Sequence, residues 1–347
     1  MTKVMIAMSG GVDSAVAAYL VKKAGYDVLG ATMKLYCPGK SDHDKELNDA
    51  AAVARLVGIE HRVFDFETDF RSLVVDSFVT EYEEAKTPNP CIVCNETLKF
   101  GKMMDATDVL GIEMLATGHY ARIEKNADGR FLLRRAADLT KDQSYVLYML
   151  KQSQLSRILF PLGDYTKAQA REIARELGFV NANKSDSQDI CFIPDGDYAG
   201  FIKRYTGKEY PEGDFVSESG EKIGTHRGIV NYTIGQRKGL GIALGHPVFV
   251  CKKDPVTNTV TLSDNESLFS RSFCVKKLNW IPFDGLSSPL KVQARIRYNM
   301  QAQPATVEQI DENRARVVFD QPQRAITPGQ SAVFYDGDYV VGGGIIE

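Results

Sequence analysis

The sequence predicts an α/β chain in which a doubly wound parallel sheet is followed by a small β-rich central module and a C-terminal antiparallel β-barrel. Three observations carry this reading. Short apolar runs alternate with segments of helical period through the first half. After about Gly207 the texture changes to glycine turns and β-branched runs, and from about Arg271 strand-like runs recur at short spacing. The domains expected from these breaks are 1–207, 208–270 and 271–347.

Taken in order, strands are expected over 4–8, 28–33, 62–66 and 114–117. Between them, a helix over 14–24 presents Ala15, Ala18, Tyr19 and Val21 on one side, and a second over 46–56 is rich in alanine, with Gly25 and Gly58 as stops. A further helix over 167–177 opens after the Thr166 cap and ends at Gly178, ahead of a polar loop over 181–189. In the last part of the chain VKKLNWI, KVQARIRYNM, QPATVEQI, RARVVFD, SAVFYDG and YVVGGGII supply the barrel strands.

A chain of 347 residues exceeds one ordinary domain, which agrees with the three textures. No apolar run approaches the ~18 residues that span a bilayer, so no membrane partner is expected. The segment MTKVMIAMSGG reads as a strand entering a glycine turn and lacks the long apolar core of a signal peptide. Six cysteines without disulfide-framework spacing point to a reducing, cytoplasmic compartment in which thiols act as catalysts or ligands. With a net charge of -3, contact with a polyanion has to come from local basic patches; Lys203, Arg204, Lys208, Arg237 and Lys238 are scattered candidates, and Arg295, Arg297 and Tyr298 share one strand segment.

Ser9-Gly10-Gly11-Val12-Asp13-Ser14 lies between the first strand and the first helix, where a doubly wound sheet binds ligands. Two glycines let the backbone approach an anion, the first helical N–H groups point outward, and Ser9 and Ser14 add hydroxyls. The lysine of a Walker A loop is missing, which disfavours a kinase or motor ATPase. The pattern matches the pyrophosphatase (PP) loop SGGxDS, which holds the pyrophosphate of ATP while AMP is transferred to a substrate oxygen. The expected nucleotide contacts are Ala7, Met8, Ser9, Gly10, Gly11, Val12, Asp13 and Ser14. Asp13 is the nearest candidate for Mg2+, and an equally good helix cap.

Two further loops carry cysteines. Thr87-Pro88-Asn89-Pro90-Cys91-Ile92-Val93-Cys94-Asn95 reads as a proline-stiffened loop with a C-x-x-C, and Cys191 lies in a second loop, from Asp186 to Phe192. A C-x-x-C alone fits half a zinc site, a redox pair or iron-sulfur ligands. Beside an adenylating loop the economical reading is sulfur insertion, because AMP on a carbonyl oxygen is a leaving group that a thiolate, persulfide or sulfide displaces. Cys37, Cys251 and Cys274 lack such surroundings and are assigned no role.

Together SGGVDS, TPNPxxxCN, TGHY, KDQSYxL, CFI, TIGQRKGLGI and TPGQSAVFY resemble the bacterial tRNA-specific 2-thiouridylase family over nearly the whole chain. The resemblance implies ATP-dependent adenylation of the C2 oxygen of wobble uridine 34 in tRNA, with sulfur supplied through a cysteine desulfurase or sulfur-relay protein. It implies a persulfide on Cys191, attack or assistance by Cys94, and a transient Cys94–Cys191 disulfide. It further implies Met33 and Gly118 beside the nucleotide, and His119 as an adenine or ribose neighbour. Asn89, Pro90 and Cys91 would lie beside the target base, and Lys141, Asp142, Gln143, Arg297, Tyr298 and Gln330 on the tRNA. The uridine is expected to flip out of its stack into a pocket completed partly by tRNA.

Many members of that family have aspartate where this chain has Cys91. A thiol of ordinary pKa ~8.5 does not inherit the proton-transfer role of a carboxylate at ~3.9. Two mechanisms therefore stand side by side: a Cys191 persulfide with Cys91 as a spare thiol, or a [4Fe-4S] cluster on Cys91, Cys94 and Cys191 whose fourth iron binds sulfide. Structural zinc lacks a fourth ligand. Two other functions are weighed as well. A PP-loop amidating ligase would not need Cys94 and Cys191, and a catalytically silent RNA-binding homologue would release no pyrophosphate.

Overall fold

A computed structural model describes residues 1–37, 43–182, 184 and 190–347. Asp186 to Asp189, in the loop expected to lead into Cys191, lie outside the described residues.

The first layer is a parallel sheet of β1 (Lys3–Ala7), β2 (Asp27–Lys34), β3 (Glu60–Asp65), β4 (Met114–Ala116) and, after a hairpin of β5 (Ala121–Lys125) and β6 (Phe131–Arg135), β7 (Ile158–Leu159). Its order is β3-β2-β1-β4-β7, so the direction of winding reverses between β1 and β4. Ligands of such sheets sit outside the strand C-termini at that switch point. One face is covered by α1 (Val12–Lys23), α2 (His43–Val57) and the helix Lys167–Glu176, whose Val16, Ala17, Ala18, Val53, Ala170 and Ala174 bury against Val4 and Ile6. The helix Lys167–Glu176 starts as expected: Thr166 accepts from the Gln169 N–H, and Gln169 reaches back in a capping box.

The opposite face, around Met5, Leu115 and Ala31, is covered by Ile92, Phe100 and Met103 from the helical stretch 90–109 and by Tyr145, Leu147 and Tyr148. A third cluster, of Phe70, Phe78, Phe192 and Phe201, joins the helical stretch 67–83 to the helix Tyr198–Thr206.

The middle module is a four-stranded sheet in the order β10-β11-β8-β9, from β8 (Gly213–Val216), β9 (Lys222–His226), β10 (Phe249–Asp254) and β11 (Thr259–Ser263). The last unit comprises β12 (Phe269–Trp280), β13 (Leu290–Arg295), β14 (Gln303–Gln309), β15 (Arg314–Arg324), β16 (Ser331–Asp336) and β17 (Tyr339–Ile346). Pairing of β12 with β17 closes these six antiparallel strands into a barrel, filled by Val275, Ala294, Val307, Val317, Phe319 and Phe334. The fold class is the one read from the sequence. The β5–β6 hairpin, which that reading missed, pairs with β17 and ties the first layer to the barrel. Among the described residues no helix is long and apolar enough to cross a membrane.

Candidate active site

The SGGVDS segment joins β1 to α1 at the switch point. Gly10 has φ +70°, and a Cβ there would meet the Glu46 carbonyl oxygen at 2.6 Å, so α2 allows only glycine. The Gly10 carbonyl accepts from Asn181 Nδ2 at 3.1 Å and from Lys184 Nζ at 3.4 Å, which turns the peptide and pins the loop from behind. Ser14 Oγ donates to the Gly11 carbonyl at 3.0 Å and accepts from the Ser9 N–H at 3.1 Å. The N-cap of α1 is Gly11, and among the described residues no side chain caps this helix. Its first N–H groups and the positive end of the helix dipole therefore face the place where an anion would sit.

Asp13 does not cap α1. Both of its carboxylate oxygens lie 2.8 Å from Lys167 Nζ, and Tyr120 Oη donates to Oδ1 at 2.8 Å. The Mg2+ candidate read from the sequence is thus already paired with a lysine from a helix far along the chain. Gly118, after β4, is required by close approach: a Cβ would lie 2.8 Å from the Ser14 nitrogen. Ala7 ends β1 and Met8 follows it, where the Met8 N–H donates to Ala31 O at 2.8 Å and Thr32 Oγ1 to Met8 O at 2.7 Å. Met33 packs between the second and third clusters.

His119 is buried, with Nδ1 2.7 Å from Thr117 Oγ1 and its ring between Phe100 and Phe160. Burial, then the Lys99 charge, holds its pKa well below the usual imidazole value, so the ring is neutral. This is the chemistry of a shaped wall and not of a proton donor.

The C-x-x-C segment was expected to be a loop; it is the helix Pro90–Cys94. The signals were present, since proline is favoured at the first helical position and Asn89 is a good cap: its Oδ1 accepts from the Cys91 N–H at 3.1 Å. Cys91 is exposed, Ile92 is buried beneath it, and Cys94 lies half-buried against the aromatic cluster. The next stretch, Asn95–Lys102, is wound as a π-helix, which carries Lys99 beside the sulfurs.

Cys191 is exposed, while its neighbours Phe192 and Ile193 are buried. The Phe192 ring lies 5.6, 5.5 and 5.3 Å from those of Phe70, Phe78 and Phe201, and so anchors the sulfur in the same cluster that Cys94 borders. Burial pushes the Cys94 thiol up to about 11, with Lys99 acting in the opposite direction. Surrounding protein likewise pushes Cys191 up to about 12, reinforced by Cys94 and Cys91 and opposed by Lys99. Both thiols are protonated near neutral pH. Cys37, given no role from sequence, lies just beyond β2 with its Sγ 3.5 Å from the Cys191 carbonyl oxygen. Among the described residues no three Cys, His, Asp or Glu side chains form a set able to hold a metal ion.

The residues expected on tRNA are held mainly by the protein itself. Asp142 is buried and accepts from Ala136 N, Ser144 N and Ser144 Oγ, with Arg295 at 3.6 Å. Gln143 Oε1 accepts from the Tyr120 N–H at 2.9 Å, which connects this loop to Asp13, and the Lys141 N–H closes a turn onto Asp138 O. Tyr298 Oη donates to Asp142 O at 3.3 Å. Arg297 donates to Ala325 O at 2.6 Å and to Thr327 Oγ1 at 3.1 Å, and Gln330 Nε2 donates to Thr87 O at 2.7 Å. Of the scattered cations, Arg204 faces Asp195 and Asp197 and Lys208 faces Glu83, while Arg237 and Lys238 stand exposed. Sequence reasoning missed Lys99, Tyr120, Lys167, Asn181 and Lys184. A lysine five positions after Cys94 and the capped helix at Lys167 were visible, but nothing in their spacing tied them to a site.

Residues 2–195 match the family described as tRNA methyl transferase HUP domain, residues 199–264 its PRC-barrel domain, and residues 270–346 the aminomethyltransferase beta-barrel domain. The chain is 50% identical to the tRNA-specific 2-thiouridylase MnmA of Clostridioides difficile (strain 630), over 99% of this chain and 98% of that one. It is 49% identical to the protein of the same name from Clostridium acetobutylicum, over 99% of each. Among solved structures it is similar to the U34-tRNA thiolase NcsA from Methanococcus maripaludis with its [4Fe-4S] cluster, at 19% identity over 59% of this chain and 67% of that one, with a TM-score of 0.37, too low to map residues between them. On the full-length identity to its relatives, the chain belongs to the tRNA-specific 2-thiouridylase family.

Proposed function

We propose that this protein thiolates the 2-position of a tRNA uridine, the wobble uridine 34, with ATP as activator and Cys191 and Cys94 as the sulfur-handling pair. The observation that carries the reading is that Cys94 and Phe192, the neighbour of Cys191, belong to one aromatic cluster, which takes in Met33 and Phe66 at the C-terminal ends of β2 and β3 in the sheet whose switch point holds the uncapped SGGVDS loop. An adenylating loop and a sulfur carrier are the two parts that oxygen-for-sulfur exchange requires.

In this mechanism the uridine C2 oxygen attacks the α-phosphorus of ATP and pyrophosphate leaves towards the N-terminus of α1, with Mg2+ accompanying the nucleotide. Lys167 and Tyr120 keep Asp13 in place beneath that loop. The outer sulfur of a Cys191 persulfide attacks C2. Cys94 then attacks Cys191 Sγ, the S–S bond to the substrate breaks, and AMP departs as the thiocarbonyl forms. The Cys94–Cys191 disulfide is reset by an external thiol reductant, and a cysteine desulfurase or relay protein recharges Cys191. Burial raises the pKa of both resting thiols while Lys99 opposes it, so a persulfide delivered by a partner supplies the stronger nucleophile.

The [4Fe-4S] alternative asks Cys91, Cys94 and Cys191 to act as one ligand set. Cys94 and Cys91 both act on the Cys191 thiol, so the three sulfurs share one neighbourhood, and iron content separates this alternative from the persulfide route. The decisive experiment incubates protein purified without oxygen with ATP, unmodified tRNA and a persulfide donor, then digests the tRNA and measures 2-thiouridine alongside iron content for wild type and Cys91→Ala. An iron-free protein forming 2-thiouridine, with Cys91→Ala active and Cys191→Ser inactive, is expected. About four irons per chain, lost with activity in Cys91→Ala, overturns the persulfide route. Full activity of a Cys94→Ser, Cys191→Ser double variant on another acceptor would favour an amidating ligase, and absence of tRNA-dependent pyrophosphate release a silent RNA-binding protein.

A further inference from the structure

The barrel is not only beside the sulfur site; one of its turns grips the segment that leads into it. In the turn over 327–330, Pro328 O accepts from the Thr87 N–H at 2.9 Å and Gln330 Nε2 donates to Thr87 O at 2.7 Å. Both backbone polar groups of Thr87 are therefore satisfied by the barrel. Gly329, at φ +89°, lies so close that a Cβ would stand 3.0 Å from Lys86 Cβ and from the Thr87 nitrogen, and 3.1 Å from the Thr87 carbonyl carbon. The turn is itself held from within: Gly329 N donates to Ile346 O, Ile346 N to Gln330 O, and Arg297 to Thr327 Oγ1.

The segment immediately after Thr87 transmits position well. Pro88 and Pro90 are buried and fix their own φ, and Asn89 between them caps the helix that bears Cys91 and Cys94. A displacement at Thr87 has little slack in which to dissipate before it reaches Cys94.

We propose that Gln330 and Gly329 are positioning residues of the sulfur-transfer step: the barrel turn clamps Thr87 and thereby sets where Cys94 stands relative to Cys191. The proposal rests on the thiolation reading above and assigns Gln330 a role different from a direct tRNA contact. The same amide that would reach the nucleic acid is hydrogen-bonded to the catalytic segment.

The test compares wild type, Gln330→Ala, Gln330→Glu and Gly329→Ala at varied tRNA concentration, measuring pyrophosphate released and 2-thiouridine formed in the same samples. Gln330→Glu keeps the shape and loses the donor. The expected result is a fall in kcat for thiolation on the order of tenfold or more, an unchanged KM for tRNA, and more pyrophosphate released per 2-thiouridine than wild type, because adenylation continues while sulfur delivery fails. Gln330→Glu should be no better than Gln330→Ala. A raised KM with unchanged kcat makes Gln330 a tRNA contact and overturns the proposal, as do wild-type values throughout or a parallel loss of pyrophosphate release and thiolation. Should Gly329→Ala not fold, Gln330→Ala carries the test, with the alkylation rate of Cys94 in the native protein, read by mass spectrometry, expected to change and its constancy counting against the clamp. If wild type itself makes no 2-thiouridine, the thiolation reading fails and not the clamp.

Discussion

Lys253 offers a sharp test of how the middle module meets the first domain. It lies on β10, is 8% exposed, and its Nζ has no hydrogen-bond partner among the described residues. Partial compensation comes from the Tyr82 ring of the helix Asp76–Glu83, 5.9 Å from the ammonium. Burial lowers the lysine from 10.5 to about 8. That difference corresponds to about 3 kcal/mol of destabilisation at neutral pH, against which a desolvated cation–π contact returns about 1–2 kcal/mol. The sign is fixed by linkage: between pH 8 and 10.5 the unfolded chain binds the proton that the folded chain has lost, so stability is lowest below pH 8 and rises through that window. Lys253→Met, of similar length, removes both terms. The expected result is a gain of about 1–3 kcal/mol at pH 7 and loss of the rise in stability between pH 8 and 10. Denaturant titrations of both proteins at pH 7 and pH 9.5 measure it. A variant less stable than wild type at pH 7, with the pH dependence retained, would refute the assignment of Lys253 as a buried, uncompensated amine.

The same geometry sets three other outcomes. Phe192→Ala empties the centre of the aromatic cluster, which should cost about 3–5 kcal/mol and lower thiolation more than ATP use; equal loss of both would show that Phe192 does not anchor Cys191. Lys167→Ala removes the ammonium from Asp13 and should lower tRNA-dependent pyrophosphate release by about 1.5–3 kcal/mol in activation terms, with unchanged release arguing that the pair is remote from the nucleotide. For His119, whose folded pKa is depressed, the ring signal in NMR should not titrate around the usual imidazole value of 6.5, and its contribution to stability is fully present above about pH 6.5 and declines below it; an inflection near 6.5 would contradict its burial.

The parts of this protein that were legible in sequence are those whose reasons are local. The turn Ser9 to Ser14 needs glycines and hydroxyls within six positions, and the barrel declares itself by period and spacing. The helix at Pro90 is equally local, but proline stiffens a loop as readily as it opens a helix, and only its place just after Asn89 marks a helix start. What sequence could not give is the company each group keeps. Lys167 reaches Asp13 across 154 positions, and Gln330 reaches Thr87 across 243. No pattern in the neighbourhood of Lys167 or Gln330 records those partners, because each is set by how layers dock and not by how a segment folds.

That division has a physical consequence for the site itself. The nucleotide loop is built by β1 and α1, with α2 and the two side chains on the Gly10 carbonyl bracing it. The sulfur site has no comparable local frame: Cys94 depends on a helix whose entry is gripped by the barrel, Cys191 on a phenylalanine held by three other rings, and Lys99 on a π-turn. Sulfur transfer should therefore be the step more easily lost to distant substitutions. Because three separate parts of the chain must agree before the two thiols meet, adenylation without sulfur transfer is the failure to expect when any one of them moves.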